Sequence, residues 1–237
     1  MKNIDIIATI GPSSLSRPVI EKMAAGGMTI ARINTKYGSV KQYREIMKNL
    51  KGTGCKLLFD IEDMEKLDWI KKQKFDYLAV SFAESAEQIK KVRKMLGKTA
   101  KKVKIVSKIE NRNGIKNIDH LIRESHGIMV ARGDLGKNIH FEKVPVFQKL
   151  IIRKCNRNNK MAITATEMLL SMTKSQIPER AEVSDVANAV LDGSDALMLS
   201  EETAIGQHPA LAVKTMKKII EEIQKDEEIL SYMLENI

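Results

Sequence analysis

Two tripeptides bring a cation and a carboxylate together where an apolar run is ending: Lys108-Ile109-Glu110 and Arg132-Gly133-Asp134. In an extended segment alternate residues share a face, so Lys108 and Glu110 emerge on the same side. A fold has little structural need for an opposite-charge pair leaving a strand rim together. In Arg132-Gly133-Asp134 the glycine stands just before the acid, and a backbone without a Cβ can approach a ligand closely. The runs ending in Glu110 and Asp134 are the fifth and sixth along the chain. As neighbours in one sheet they would suit a hard cation, Mg²⁺ or Mn²⁺, held by one or two carboxylates with substrate oxygens and water completing the shell.

The elements that must position these groups follow from patterning. Eight short apolar, β-branched runs recur: 4–11, 28–34, 56–61, 76–82, 103–110, 127–134, 161–167 and 196–202. Most are nearly continuous in apolar residues, as parallel strands covered on both faces are. Helical stripes lie between them at 39–50, 62–72, 85–96, 144–159 and 208–224. Alternation of this kind predicts an α/β fold, a single (β/α)₈ TIM barrel. The runner-up, an open doubly wound sheet, lacks a G-x-G-x-x-G after the first strand. In a barrel, chemistry gathers at the C-terminal strand ends. Those ends carry Arg32 and Asn34, Asp60, Ser81, Lys108 and Glu110, Arg132 and Asp134, Thr166 and Glu167, and Ser200 with Glu201 and Glu202. Helix capping is the simpler reading for Ser81 and for Asp60.

Composition narrows the partners. The 237 residues carry a formal net charge of +10, which fits either an anionic partner or a lysine-rich solvated surface. No zinc-finger spacing, RNA-binding signature or basic region with heptads is present, so no nucleic-acid partner is expected. Cys55 and Cys155 form no C-x-x-C pair, which points to free thiols in a reducing compartment. The N-terminus lacks the form of a signal peptide and no apolar stretch reaches membrane-spanning length, so a cytoplasmic protein without a membrane partner is expected.

The segments KIENRNG (108–114), GIMVARGDLG (127–136), IIRKCNRNNKMAITATEML (151–169) and RAEVSDVANAVLDGSDALMLSEETA (180–204) closely resemble the pyruvate kinase family. TIGPSS (9–14) and GMTIARIN (27–34) resemble its opening strands, and the likeness runs from about residue 4 to 224. The resemblance implies that Glu110 and Asp134 bind the divalent metal. Lys108 would stabilise charge on the phosphoryl group in flight and on the enolate oxygen, and Arg32 would contact that phosphoryl group. The backbone amides of Gly133 and Asp134 would cradle the substrate carboxylate, with Thr166 near the face where the methyl carbon is protonated. Such a set could bind a small anionic 2-oxo acid, or its enol phosphate, and stabilise the enolate.

Departures from the family pattern shape further expectations. The family inserts a lid domain after its third strand, whereas 57–60 leads here almost directly into 62–72. The chain also stops where the family's C-terminal domain would begin, so one barrel over 1–237, with neither addition, is expected. Without a lid, efficient transfer to a nucleotide is doubtful. The monovalent-cation site, whose equivalents are Asn34, Lys36 and Asp60, reads Thr35-Lys36-Tyr37-Gly38 where the family has Phe-Ser-His-Gly, and Ile61 replaces a threonine. Lys36 would supply the charge itself, and K⁺ would not be required. Glu84, Glu167 and Glu201 replace an arginine, a glutamine and a glycine, making the mouth more acidic, and Lys137 and His140 also depart from the pattern. Three functions compete: a pyruvate-kinase-like phosphotransferase, a metal-dependent decarboxylase or lyase of 2-oxo acid enolates without nucleotide, and a non-catalytic phosphoenolpyruvate-binding protein. A homodimer through the helix near 144–158 is a further expectation.

Overall fold

The computed structural model describes residues 3–225. The strands are β1 (Asp5–Thr9), β2 (Ile30–Asn34), β3 (Lys56–Ile61), β4 (Tyr77–Val80), β5 (Lys104–Ile109), β6 (Gly127–Ala131), β7 (Met161–Ala165) and β8 (Ala196–Leu199). Each is parallel to its neighbours, and β8 pairs with β1 to close the barrel. The expected TIM barrel is therefore the fold. Side chains alternate between two apolar layers. Ile7, Ile30, Leu58, Tyr77, Ala79, Val106, Met129, Ile163, Ala165, Ala196 and Met198 fill the interior. The opposite strand faces pack on the helices through residues such as Ile33, Phe59, Leu78, Ile105, Ile128 and Leu197. With Ile, Leu, Val and Met at most positions, the core needs few aromatics; Phe59 sits edge-on to both Trp69 and Phe75.

Helices start where the sequence places capping side chains. Ser39 accepts from the Gln42 amide ahead of Val40–Asn49, and Ser85 from Gln88 ahead of Ala86–Leu96. The helices Val144–Arg157 and Pro209–Lys225 occupy the expected spans. The helix expected over 62–72 is reduced to Leu67–Ile70. The Asp63 side chain accepts the Glu65 amide, a local turn that competes with helical hydrogen bonding. Only Glu62–Lys66 therefore join β3 to that turn of helix. The charged segment after Lys225 lies outside the described residues. Among the described residues, no helix is long and apolar enough to cross a membrane.

At the mouth, one glycine is required by contact. A Cβ on Gly11 would lie 2.6 Å from the Ala204 carbonyl oxygen, so the loop after β1 lies directly on the short helix Glu201–Ala204.

Candidate functional site

The inward alternation of the strands continues past the apolar layer into charge. Above Ile7, Ile30, Leu58, Ala79 and Val106 stand Thr9, Arg32, Asp60, Ser81 and Lys108, two residues further along each strand line. All five are buried. The Arg32 guanidinium donates through Nε and Nη2 to Asp60 Oδ2 at 2.9 and 2.8 Å, and through Nη1 to Thr9 Oγ1 at 2.8 Å. Thr9 Oγ1 in turn donates to the Leu199 carbonyl. Lys108 Nζ lies 3.1 Å from Asp60 Oδ1, 3.0 Å from Glu110 Oε1 and 2.8 Å from Ser81 Oγ. One connected network thus spans β1 to β5.

Two cations against two carboxylates set the protonation states. Burial alone would push the Asp60 carboxyl up, but Lys108 and Arg32 outweigh it and hold Asp60 below the ordinary carboxylate range. Glu110 goes the other way. Burial pushes its carboxyl up, and neither Lys108 nor the Phe82 amide that donates to Glu110 fully offsets it. The capping reading of Asp60 and Ser81 is corrected here: Asp60 joins Arg32 to Lys108, and the Ser81 hydroxyl donates to Asp60 Oδ1. Thr9 is a site residue that the sequence reading missed. Its signal is the same inward alternation, carried to the last residue of β1.

The arc from β6 to β8 is built on backbone. Arg132 opens the helix Arg132–Asn138 and points away from the barrel axis, pairing with Asp185 at 2.7 Å. Its remaining donors hold the carbonyl oxygens of Thr166 and Glu167. Both of those residues have positive φ, 70° and 54°, and a β-branched residue such as Thr rarely adopts that conformation. Thr166 Oγ1 accepts the Gly133 amide at 2.8 Å. Asp134 lies in the first turn of the helix, its side chain 46% exposed and 3.0 Å from Lys137. Glu202 is buried and accepts the Leu169 and Ser200 amides, tying the β7 loop to the end of β8.

Other sequence candidates sit at the rim. Lys36 Nζ pairs with Glu62 at 3.0 Å, its side chain 53% exposed. Glu62 raises the Lys36 ammonium first, and Asp134 is close enough to add to that. Both Asp60 oxygens are already taken, and Asn34 Oδ1 accepts the Lys36 backbone amide. Glu84 accepts from Asn111 at 2.6 Å, which partly satisfies its charge. His140 is exposed, 3.9 Å from Glu142.

Two acids are available for a divalent cation, Glu110 and Asp134, which follow the hydrogen-bonded neighbours β5 and β6. No group of three or more His, Cys, Asp or Glu fit to hold a metal occurs among the described residues. Glu110 is nonetheless a candidate, a buried carboxylate whose Oε1 faces Lys108 and whose Oε2 accepts the Phe82 amide. A cavity of about 380 Å³ adjoins Arg32 and is lined by Pro12, Asn34, Tyr37, Gln42, Tyr43 and Ser200 among others. Among the described residues, the buried Ser200 hydroxyl has no hydrogen-bond partner.

Comparison with known proteins places the chain in a family. A family model described as pyruvate kinase, barrel domain, matches residues 54–213. A pyruvate kinase of Dictyostelium discoideum is 42% identical over 231 residues, covering 96% of this chain and 44% of that protein. A pyruvate kinase of Geobacillus stearothermophilus is 47% identical over 181 residues, 73% of this chain and 31% of that protein. A pyruvate kinase, cytosolic isozyme, of Solanum tuberosum is 49% identical over 160 residues, 68% of this chain and 31% of that protein. The chain spans less than half the length of these relatives.

Proposed function

Because the chain belongs to the pyruvate kinase family, we propose that its barrel mouth binds phosphoenolpyruvate- or pyruvate-type 2-oxo acids and stabilises their enolate in a divalent-cation-dependent reaction. The observation that carries this reading is Lys108: a buried ammonium fixed by Asp60, Glu110 and Ser81 near the C-terminal end of β5. A cation held in place before reaction, in a site of low dielectric, stabilises developing negative charge without reorganising. Arg32, clamped by Asp60 and Thr9, supplies a second fixed positive charge for a phosphoryl group. The Gly133 amide would turn from Thr166 Oγ1 to the substrate carboxylate, together with the Asp134 amide. That exchange frees a lone pair of the Thr166 hydroxyl, which still donates to the Ala165 carbonyl, beside the carbon that gains a proton. Mg²⁺ or Mn²⁺ held by Glu110 and Asp134 would supply Lewis-acid charge to the substrate oxygens.

K⁺ is not required in this reading, since Arg32 and Lys108 already neutralise Asp60. The Lys36 charge adds to the rim near Asp134. The relatives named as cytosolic isozymes support a cytoplasmic protein. A homodimer would use the outer face of Val144–Arg157, where Val146 and Leu150 are exposed.

A second reading, decarboxylation or lyase cleavage of a 2-oxo acid without nucleotide, rests on the five residues between β3 and the next helix. They leave no room for the lid that the family inserts there, and an uncovered mouth exposes a transferring phosphoryl group to water. One assay panel separates the readings. The protein and Mg²⁺ are incubated with phosphoenolpyruvate and ADP, with pyruvate and ATP in deuterated water, and with oxaloacetate. ATP formation supports the phosphotransferase. Methyl deuteration or decarboxylation without nucleotide turnover supports the second reading. Binding without turnover in every arm overturns both and leaves a non-catalytic sensor. Lys108→Met is expected to reduce either chemistry by roughly a thousandfold, the scale of losing one preorganised charge-stabilising group.

A further inference from the structure

We propose that His126 makes the β5–β6 seam an acid-sensitive joint in the barrel floor, holding the Ile105 amide while its ring is neutral and releasing it when protonated. The joint lies at the end of the barrel opposite the candidate site and is independent of the activity assigned there.

The floor is built from one device used four times. The residue before β2, Thr29, donates its backbone N–H to the Ile6 carbonyl and accepts the Ile6 N–H on Oγ1 at 3.0 Å. Asp76, before β4, treats Leu57 the same way, accepting its N–H on Oδ2 at 2.8 Å. Asp195, before β8, does so for Ala162, also at 2.8 Å. His126, before β6, donates to the Ile105 carbonyl and accepts the Ile105 N–H on Nδ1 at 3.0 Å. Each clasp ties the second residue of an odd strand to the residue preceding the next even strand. A hydroxyl and two carboxyl groups keep an oxygen lone pair to accept with whether or not they carry a proton. Imidazole does not. An Nδ1 that accepts must be unprotonated, with the proton on Nε2, and a protonated Nδ1 would point one donor at another.

The surroundings oppose a charge on the ring. His126 is exposed at the floor, yet partial desolvation lowers its affinity for a proton first, followed by Arg93 of Ala86–Leu96, Lys160 ahead of β7 and Lys104 of β5; the Ile105 N–H, donated to Nδ1, also favours the neutral ring. The preceding helix, Ile118–Glu124, adds no near counter-charge: the Glu124 carboxylate lies 3.7 Å from Lys90, while its backbone carbonyl and that of Ser125 accept from Arg93 and Lys160. A group whose folded value is depressed gives stability that is complete above its unfolded value, near 6.5. That stability is lost as pH falls through the lower folded value. The seam matters beyond the floor, because β5 and β6 hold Lys108 and Glu110 in register with the strand leading to Gly133 and Asp134.

The test is amide hydrogen exchange on the full chain, corrected for the intrinsic pH dependence of exchange. Between about pH 7.5 and 5, protection at Ile105 is expected to fall selectively, by more than ~3-fold. The amides of Ile6, Leu57 and Ala162 should fall by less than ~3-fold over the same range. Parallel loss at all four amides, or no selective loss at Ile105, overturns the proposal. His126→Asn retains an acceptor but cannot titrate there, and should erase the selective loss; a loss that persists overturns it. Nitrogen NMR of the wild-type ring needs no variant. It should show the Nε2–H tautomer and a titration below the ordinary histidine value, and a titration at or above that value overturns the proposal.

Discussion

The mouth of this barrel has two halves made of different materials. From β1 to β5 it is built from side chains: Thr9, Arg32, Asp60, Ser81, Lys108 and Glu110 form one buried network in which Asp60 touches both cations. From β6 to β8 it is built from backbone: a turn at Thr166 and Glu167 in left-handed conformation, gripped through its carbonyls by Arg132. The first half holds charge fixed at the expense of desolvation. The second presents amides, a hydroxyl and the half-exposed Asp134 on a strained turn. Under the proposed function, the side-chain half would hold a fixed cation and the backbone half would exchange hydrogen bonds with an arriving carboxylate. The difference shows that preorganisation can be placed in side chains on one side of a ligand and in backbone on the other.

The comparison can be broken at several points. Asp60→Ala should have the largest effect, because it leaves Arg32 and Lys108 buried with too little counter-charge. Loss of one partner from a buried pair costs about 3–5 kcal/mol. Urea denaturation would read it, and a loss under about 1 kcal/mol would mean that charge does not hold the first half together. Next comes the pH dependence of Mg²⁺ or Mn²⁺ binding. Burial raises the Glu110 carboxyl, so protons compete with a cation at higher pH than for an ordinary glutamate. Affinity measured by calorimetry should rise up to ~10-fold per pH unit until Glu110 is ionised, then level off. A flat profile would remove Glu110 from the binding set. Glu167→Gly should stabilise the protein by about 1 kcal/mol, since glycine adopts positive φ without the Cβ penalty and the Arg132 contact is to backbone. Destabilisation would show that the turn is not strained. Lys36→Met should alter stability by less than about 0.5 kcal/mol, as its pair with Glu62 is solvent-exposed and screened.

Much of the first half is legible in the amino-acid sequence. The run 56–61 is β3, and period-2 alternation puts Lys108 and Glu110 on one side of β5. The roles of Thr9, Ser81 and Asp60 are not legible there, because a polar residue at a strand end has the same local pattern whether it caps a helix or joins a network across strands. The second half is less legible. Nothing in Thr166-Glu167 signals positive φ, which the loop acquires from Arg132, Asp185 and Gly133 brought in by tertiary packing. The helix expected over 62–72 is cut short for a local reason, the Asp63 turn.

The alternation of floor clasps divides the barrel into four consecutive strand pairs, each joined by one side chain to its own partner. Peptide fragments cut between pairs would carry every clasp intact. A nick near Gly52 and Gly54, where an added side chain would meet open space, separates the first pair from the rest. The two pieces should reassemble on mixing, whereas pieces cut between β3 and β4 would each inherit half of a clasp and recombine poorly. The same boundaries mark where a circularly permuted chain could begin.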